Sequence, residues 1–296
     1  MKLRRDTMTA ESPIVELLDY SYLYPNSDVA ALSHVSASIN VGDFVGIIGA
    51  NGAGKTTLCK SIAAILPYVV GGSWDGDITI ATKGLKESGG AAASGIVGIV
   101  LQNAESQFTQ QTVEDEIAFA LCNFGYERPV MRKRVAFAAK ACGLTEVLGR
   151  SPYQLSGGQQ QRLAIACVLA LQPQVMILDE TTSQLDPEGR DAVFGLVDKM
   201  RREKKTVLMA EHDVERLAAY ANKICVLDRG ALVAFGPTAE VLGDVELLRA
   251  HHVRAPQVTD AAYRLREELP QIDRLPVDLV QAKKTFALWK GAVAHA

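Results

Sequence analysis

The sequence has no excess of basic residues. Its 31 lysines and arginines are outnumbered by 34 aspartates and glutamates, which gives a formal net charge of −3. A protein whose main partner is a nucleic acid usually carries a basic face or stripe. The overall charge therefore argues against a nucleic-acid-binding function and leaves room only for a local basic patch.

Cysteine is scarce and is not arranged for pairing or metal binding. The chain has five cysteines, an odd number, and none of them shows CxxC spacing. This pattern is typical of free thiols in a reducing compartment and argues against a disulfide framework or a zinc site. The five are Cys59, Cys122, Cys142, Cys167 and Cys225.

A long apolar run is also missing. The apolar stretch at 163–171 is broken by Gln172 and Pro173 and is far shorter than the roughly 20 residues of a membrane-spanning helix. The basic start, MKLRRDTMTAESP, has no apolar segment behind it, as a secretory signal would have. We therefore expect a soluble chain that reaches a membrane only through a partner.

What the chain does contain is an alternation of strand and helix patterns, which predicts an α/β fold with a parallel sheet covered on both faces. The pattern at 112–171 is mostly helical and indicates an inserted subdomain. The glycine- and alanine-rich segment 89–95 is predicted to be a flexible loop, and the residues beyond 237 are predicted to form a helical appendage. The predicted strands are 14–24, 31–40, 44–48, 96–101, 175–178, 206–210, 224–228 and 232–235, and the separate helices are 57–66, 188–202 and 213–221.

Residues 49–56 form a glycine-rich segment that matches G-x-x-x-x-G-K-[ST]. Glycines let the backbone curl so that its N–H groups point at phosphate oxygens, and the following helix adds a positive N-terminal end. Lys55 is expected to reach the β- and γ-phosphates, and the Thr56 hydroxyl to ligate Mg²⁺. The predicted ATP-binding residues of this segment are Gly49, Ala50, Asn51, Gly52, Ala53, Gly54, Lys55, Thr56 and Thr57.

Two adjacent carboxylates, Asp179 and Glu180, follow the apolar run 175–178. A phosphate loop needs an acid at the end of a neighbouring strand to hold Mg²⁺, and Asp179 has that place. Glu180, one residue further on, is expected to polarise the water that attacks the γ-phosphate, as general base or as positioner. A strand followed by a chemically idle acidic turn is the alternative, which the presence of Lys55 disfavours.

A second glycine-rich helix start, LSGGQQQR, lies at 155–162. Ser156 is a suitable N-cap, and Gly157 and Gly158 leave backbone amides bare at a positive helix end. This arrangement predicts a second anion-binding site. An ordinary capped helix is the plain alternative.

The LSGGQ segment resembles the signature motif of ABC-type ATPases, and the resemblance extends over about 14–236. It implies a P-loop NTPase fold of ABC type, with a mixed sheet core and an antiparallel β subdomain. The implied ATP-binding domain is 12–236, the inserted helical subdomain about 103–172, and the helical C-terminal appendage 237–296. In this family the signature of one subunit closes on ATP bound to the other, so that a head-to-tail dimer encloses two ATP molecules.

The resemblance also implies roles for single residues. Tyr24 matches the aromatic residue that stacks on adenine, with Tyr22 as the competing candidate. Gln102 matches the glutamine that touches Mg²⁺ and the attacking water. His212, after the strand 206–210, matches the switch histidine that contacts the γ-phosphate.

The segment 183–186 matches the D-loop, which crosses to the partner subunit and includes Ser183 and Asp186. Two positions near it depart from the family pattern. Thr181 stands where the family usually has proline, and Gln184 replaces a small residue. Neither departure removes a catalytic group, so we expect activity to survive with a less firmly defined D-loop.

Six flanking segments, at 24–25, 98–103, 106–108, 112–119, 210–213 and 255–259, resemble the ATPases of energy-coupling factor (ECF) transporters. The implied function is the motor of an importer for a vitamin or transition-metal ion, with ATP and Mg²⁺ as cofactors. The implied place is the cytoplasmic face of the membrane. There a second ATPase, either the same chain or a paralogue, and a transmembrane coupling protein would be direct partners, and a small substrate-binding membrane protein an indirect one.

Other functions stay open at this point. Another class of ABC transporter shares the chemistry and differs in the partner. A non-transport ABC ATPase acting on nucleic acid is a remote alternative, because the sequence has neither a long coiled-coil insertion nor a second ATPase domain. Apolar residues at helical spacing suggest that the appendage contributes to ATPase–ATPase contact, although they could equally pack on their own domain; they are Val258, Ala262, Leu265 and Leu269.

Overall fold

The larger of two sheets forms the core of the computed structural model, which describes residues 13–103, 107–183, 185–266 and 274–293, with 288–293 as backbone only. Five neighbouring strands are parallel, and the sixth is antiparallel to its neighbour. The predicted mixed sheet is therefore confirmed. In spatial order the strands are β10 (Ala231–Pro237), β9 (Lys223–Asp228), β3 (Phe44–Ile48), β8 (Thr206–Ala210), β7 (Val175–Asp179) and β6 (Val97–Val100).

The central strands β3, β8 and β7 are buried along their whole length. Continuous apolar strands of this kind are typical of a parallel sheet covered on both faces. Because the strands are parallel, their carboxyl ends meet at one edge of the sheet. The glycine-rich segment 49–54 follows β3, Glu180 follows β7, and His212 lies just after β8. The fold therefore brings these predicted site residues together at one edge of the sheet.

The smaller sheet is antiparallel, as predicted for the β subdomain, and contains β2 (Leu32–Asn40), β1 (Pro13–Leu23), β4 (Ser73–Ile80) and β5 (Lys83–Gly84). Strand β4 is absent from the predicted strands. Its sequence, SWDGDITI, contains two aspartates and a glycine, which are depleted in strands. Gly76 has φ +71, and a Cβ there would lie 2.3 Å from the carbonyl oxygen of Asp19, so the glycine allows close approach to an irregular part of β1.

The helices follow the predicted pattern, except that one is shorter than predicted and a short helix at Leu85–Ser88 was not predicted. Helix α1 ends at Ile62, before the predicted end at 66, and Ala64 just beyond it has φ +55. The predicted helical block at 112–171 contains three long helices. The helices up to residue 220 are α1 (Lys55–Ile62), α2 (Leu85–Ser88), α3 (Val113–Asn123), α4 (Arg128–Ala141), α5 (Gly157–Leu171), α6 (Pro187–Arg202) and α7 (Val214–Tyr220).

The prediction of a flexible loop at 89–95 is wrong for most of that segment. A 3-10 turn, Gly89–Ala92, continues directly from α2. Ala92 and Ala93 are 1% and 3% exposed and belong to the core beneath the antiparallel sheet. Small apolar side chains pack there without needing a long helix or strand, and this explains why composition alone suggested a loop.

The C-terminal appendage is helical, as predicted, and contains α8 (Thr238–Val241), α9 (Val245–Ala250), α10 (Gln257–Arg264) and α11 (Leu279–Val293). Ala262 is fully buried within the chain, and Val258 and Leu265 are half-buried. Ala262 therefore packs on its own domain, which was the alternative to a contact face. Leu269 lies outside the described residues, and the domain boundaries at 12, 103, 172 and 237 stay predictions.

The five cysteines are free thiols. Burial raises the pKa of Cys142 and of Cys225 to about 12, so both are protonated at neutral pH. Among the helices of the described residues, none combines the length and the apolar character needed to cross a bilayer.

Candidate functional site

The segment 49–54 joins β3 to α1 in a tight backbone curl. Gly49 and Gly54 have φ +154 and +104. A Cβ at Gly49 would lie 2.3 Å from the carbonyl oxygen of Leu227, and one at Gly54 would lie 2.8 Å from that of Ala31. Only glycine fits these two positions, because neighbouring main chain occupies the space of a side chain.

The curl is fixed from outside by main-chain hydrogen bonds. Gly230, in the turn between β9 and β10, donates its N–H to the Ala53 carbonyl at 3.0 Å and accepts from the N–H of Ser33 at 2.9 Å. Helix α1 starts at Gly54 without a side-chain cap. The first amides of α1 are therefore left for a ligand at the positive helix end.

Lys55 lies inside the curl and is 4% exposed. Its Nζ donates to the carbonyl oxygens of Gly49 at 3.1 Å and Ala50 at 3.3 Å. The same Nζ is 3.3 Å from Oε1 of Glu180. The buried ammonium is thus balanced by the carboxylate that was predicted to act on water.

Thr56 and Asp179 meet at the end of β7. The Thr56 hydroxyl donates to Oδ1 of Asp179 at 3.0 Å, and Asp179 is 1% exposed. Burial raises the pKa of Asp179, while the bond from Thr56 acts in the opposite direction. These neighbouring hard oxygens fit Mg²⁺, because a cation would stabilise a carboxylate that burial disfavours.

Glu180 is held between two cationic or potentially cationic groups. Its Oε1 lies 3.0 Å from Nε2 of His212 and 3.3 Å from Nζ of Lys55. Glu180 also has φ +51, a left-handed conformation that is uncommon for a residue with a side chain. Such conformations occur where surrounding structure enforces them, often at active sites.

The two tyrosines proposed for adenine stacking have different environments. Tyr22 is 1% exposed and donates its hydroxyl to the Gly71 carbonyl at 2.5 Å, so its ring belongs to the core. Tyr24 is half-buried and packs edge-to-face on Tyr22 at 4.9 Å. Its hydroxyl is 3.2 Å from Oγ1 of Thr57, at the start of α1. Tyr24 is therefore the one of the two that adjoins the phosphate loop.

Gln102 follows β6 at the same edge of the sheet and is exposed. Strand β6 pairs with β7, with Val100 opposite Leu178, so Gln102 lies on the side of the strand that ends in Asp179. Within the described ranges, no hydrogen bond joins Gln102 to that aspartate.

Ser156 starts α5 with a capping box: its Oγ accepts from the N–H of Gln159 at 3.3 Å, and Oε1 of Gln159 accepts from the N–H of Ser156 at 3.0 Å. Ser156 and Gly157 are exposed, and Gly158 is half-buried. No hydrogen bond in the described part of the chain links these three residues to the phosphate loop. The structure thus does not bring the second predicted anion site to the first within one chain.

The turn after β7 contains the predicted D-loop. Ser183 donates its hydroxyl to the Glu180 carbonyl at 3.0 Å, and Asp186 caps α6 by accepting from the N–H of Gly189 at 2.7 Å. The Thr181 hydroxyl is buried and has no hydrogen-bond partner among the described residues. Gln184 lies outside the described residues.

Glu211 is a buried acid of the site that sequence reasoning missed. It is 3% exposed and accepts hydrogen bonds from the N–H and the hydroxyl of Thr182. Burial raises its pKa to about 7. The sequence did contain a signal for this residue. Glu211 directly follows the apolar strand 206–210, as Asp179 directly follows the apolar run 175–178.

A family model described as ABC transporter matches residues 32–183. The chain belongs to the ABC transporter family. It is an ATP-binding subunit of that family, and as such an ATP hydrolase, as the sequence predicted. The ATPase is 41% identical over 232 residues to the energy-coupling factor transporter ATP-binding protein EcfA1 of Latilactobacillus sakei, covering 78% of this chain and 81% of the relative.

Two solved structures resemble this ABC ATPase. One is cbiO1 from Clostridium perfringens, described as part of the ABC transporter complex cbiONQ, with a TM-score of 0.70, 30% identity, and coverage of 86% of this chain and 100% of that one. The other is the dimeric, post-hydrolysis ATP-binding cassette MJ0796 bound to ADP and phosphate, with a TM-score of 0.67, 26% identity, and coverage of 76% and 98%. The predicted ABC-type fold is confirmed by both.

Proposed function

We propose that this ATPase is the motor subunit of an ECF-type importer for a vitamin or a transition-metal ion. The observation that carries the proposal is the 41% identity to an energy-coupling factor ATP-binding protein over 81% of that protein's length. The likeness to a component of the cbiONQ transporter complex, which covers the whole of that chain, supports the same assignment.

The geometry of the phosphate loop supports ATP binding by main-chain N–H groups around the N-terminus of α1 and by Lys55. In the chain alone, Lys55 is paired with the loop carbonyls and with Glu180. A triphosphate carries more negative charge than the single carboxylate of Glu180, and its oxygens form charge-assisted hydrogen bonds with an ammonium. ATP therefore draws Lys55 away from Glu180 and leaves this carboxylate, with His212 at 3.0 Å, to orient the attacking water.

Thr56 and Asp179, with Gln102 at the same sheet edge, are the residues proposed to hold Mg²⁺. The ion, when bound, neutralises charge on the β- and γ-phosphates. The chain's own contribution is to fix the carboxylate, through the 3.0 Å bond from Thr56, in a buried position that favours a cation.

A second ATPase, either another copy or a paralogue, is proposed to complete each ATP site. The exposed N-terminus of α5, with Ser156 and Gly157, makes no hydrogen bond to the phosphate loop in the part of the chain that the structure describes. The dimeric state of a structural relative supports this arrangement. Ser183 and Asp186 of the turn after β7 are exposed and suit contact across the same interface.

The appendage is proposed to take part in this contact. A cavity of about 300 Å³ beside the phosphate loop is lined by Asn51 and His212 on one side and by Val253 and Arg254 on the other. Because Val253 and Arg254 follow α9, residues of the appendage line this cavity together with His212, the residue proposed to contact the γ-phosphate.

A transmembrane coupling protein is proposed to bind the helical block, at the cytoplasmic face of the membrane. Large aromatic side chains there are exposed, which is typical of an interaction site; they are Phe119, Phe124, Phe137 and Tyr153. The small substrate-binding membrane protein would contact the coupling protein and not the ATPase. The transported substrate is therefore to be identified from that protein.

The test is to tag the Glu180→Gln chain, solubilise native membranes with ATP present, and identify the proteins that copurify. We expect a transmembrane coupling protein together with a small substrate-binding membrane protein. A second ATPase in the complex would distinguish a heterodimer from a dimer of identical chains. The matched control is Lys55→Ala in the same background, which should lose any contact that depends on ATP.

Two results would contradict the proposal. Copurification of a conventional pair of permease subunits would agree with a transport motor but would exclude the ECF type. Recovery of the tagged chain only in the soluble fraction, with nucleic acid bound, would favour a non-transport ABC ATPase.

A further inference from the structure

Glu211 joins the end of β8 to the turn that follows β7. Its Oε1 accepts a hydrogen bond from the backbone N–H of Thr182 at 3.2 Å and another from the Thr182 hydroxyl at 2.8 Å. Glu211 is 3% exposed and Thr182 is 2% exposed. One buried carboxylate oxygen therefore holds both polar groups that Thr182 can donate.

The two joined segments carry Glu180 and His212. Thr182 lies just after Glu180, and Glu211 directly precedes His212. The Glu180 N–H also donates to the Ala210 carbonyl at 3.0 Å. A change in the Thr182 link would therefore shift the Glu180 carboxylate relative to the imidazole that lies 3.0 Å from it.

The same glutamate is anchored to the strand that leads into the phosphate loop. The Glu211 N–H donates to the Ile47 carbonyl of β3 at 3.2 Å. Its carboxylate thus bonds to the turn after β7 and its main chain to β3. Glu211 also lines the cavity beside the phosphate loop together with His212 and Asn51.

A role in stability alone explains this arrangement poorly. Burial raises the pKa of Glu211 to about 7, and the nearby charge of Glu180 acts in the same direction. Burying a carboxylate costs desolvation free energy, which the hydrogen bonds from Thr182 offset only in part. The neighbouring Thr181 hydroxyl is also buried without a partner in the described ranges, so the turn contains polar groups that tight packing does not require.

We propose that Glu211 is a positioning residue for ATP hydrolysis, which through Thr182 fixes the turn carrying Glu180 and thereby the place of Glu180 beside His212. The inference rests on the proposed roles of Glu180 and His212 in hydrolysis. In this role Glu211 acts through Thr182 and not by contact with the nucleotide or the attacking water. Its effect should therefore appear in kcat and not in ATP binding.

The test uses the purified full-length ATPase and measures kcat and KM for ATP, with the melting temperature of every variant. Glu211→Leu removes the acceptor and should lower kcat about 10-fold or more while KM changes less than about threefold, since small misplacements of a reacting group have large rate effects. Glu211→Gln keeps an acceptor oxygen for Thr182 and should restore kcat to within about threefold.

Thr182→Val is nearly isosteric and removes one of the two hydrogen bonds. It should lower kcat less than Glu211→Leu does, and it should add nothing in the Glu211→Leu background, because both changes break the same link. If Glu211→Leu fails to fold, this variant carries the test.

Glu116 offers a matched control. It is 6% exposed, and its Oε2 accepts from the N–H groups of Thr109 at 2.8 Å and Gln110 at 2.7 Å, in the helical block. Glu116→Leu should lower the melting temperature while kcat stays within about threefold of the wild type, as expected for a distant structural link.

The positioning role is overturned if Glu211→Leu and Thr182→Val keep kcat within threefold, or if Glu116→Leu lowers kcat as much as Glu211→Leu does. Glu180→Gln, measured alongside, distinguishes failure of the positioning role from failure of the proposed function. If Glu180→Gln loses turnover while Glu211→Leu keeps the kcat of the wild type, the positioning role alone is overturned. Full turnover in Glu180→Gln overturns the proposed function, and the role of Glu211 falls with it.

Discussion

The two glycine-rich helix N-termini of this chain, at α1 and at α5, differ in the groups that surround them. At α1 the backbone curl, the buried Lys55 and the two carboxylates at the end of β7 come together within one chain. At α5 the helix begins with a reciprocal capping box between Ser156 and Gln159 and faces solvent. One start has surrounding groups that can hold a charged ligand, and the other has only its own amides.

This difference explains why the second start needs a partner to act. Amides at a helix N-terminus favour an anion, but exposed to water they bind it weakly without further groups. The first start supplies those groups from neighbouring strands. A second ATPase that places its α5 over the phosphate loop of the first would combine the amides of α5 with the charged groups around α1. Variants at α1, at α5 and at the nearby Glu180 test this difference.

The largest effect is expected from Glu180→Gln. The amide cannot accept a proton from the attacking water, so turnover should fall about 10²- to 10⁴-fold, the usual contribution of general acid–base catalysis. ATP binding should be retained, because Lys55 and the loop amides are unchanged. Single-turnover hydrolysis and equilibrium binding measure the two, with the exposed Glu188→Gln as control; near-normal turnover would remove Glu180 from its role.

Ser156→Arg addresses the α5 start and should lower hydrolysis by about 100-fold, the effect of losing donors to developing negative charge. The long side chain blocks approach of a partner, while nucleotide binding by the single chain stays unchanged. Hydrolysis and size-exclusion chromatography with ATP provide the readouts, with Ser156→Ala controlling for loss of the cap. Full hydrolysis by the arginine variant would show that α5 takes no part in the site.

Lys55→Ala addresses the α1 start and should weaken nucleotide binding by about 2 to 3 kcal/mol, the contribution of a hydrogen bond to a charged group. Isothermal titration with ATP measures this loss. Lys60→Ala, in the last turn of the same helix, should bind nearly as the wild type does. Unchanged affinity in Lys55→Ala would contradict the phosphate-loop assignment.

The smallest effect concerns folding and compares one glycine from each start. Gly54→Ala forces a side chain into a left-handed conformation against the Ala31 carbonyl and should destabilise the fold by about 1 to 2 kcal/mol. A Cβ at Gly157 meets nothing within 4 Å, so Gly157→Ala should be neutral or slightly stabilising. Urea denaturation compares the pair, and equal losses would erase the structural difference between the two starts.

The sequence predicted best what depends on short-range pattern. The phosphate loop, the apolar strands β3, β7 and β8, and the acids after β7 follow from residue type and spacing. Strand β4 could not be predicted in this way, because its aspartates and Gly76 become acceptable only when β1 lies beside it. The end of α1 at Ile62 was missed for a related reason, since Ile65 and Leu66 still fit a helical pattern.

The site shows the same limit at the level of single side chains. The sequence favoured Tyr24 over Tyr22, and the packing separates a core ring, Tyr22, from the ring beside Thr57. Glu211 was missed because its partner, Thr182, comes from another strand end. Pairings between distant segments depend on topology, which residue patterns along the chain do not specify.

The main-chain frame around the phosphate loop has a consequence for which substitutions the chain tolerates. The loop is held by the carbonyl of Ala53 and the amide groups of Gly230 and Ser33. These contacts use main-chain atoms only, so the Ala31 position leaves a choice of side chain, whereas Arg229, with φ +46, favours residues that tolerate a left-handed conformation. Gly54 and Gly230 have no such freedom. A Cβ added at either glycine would lie 2.8 Å from the Ala31 carbonyl oxygen.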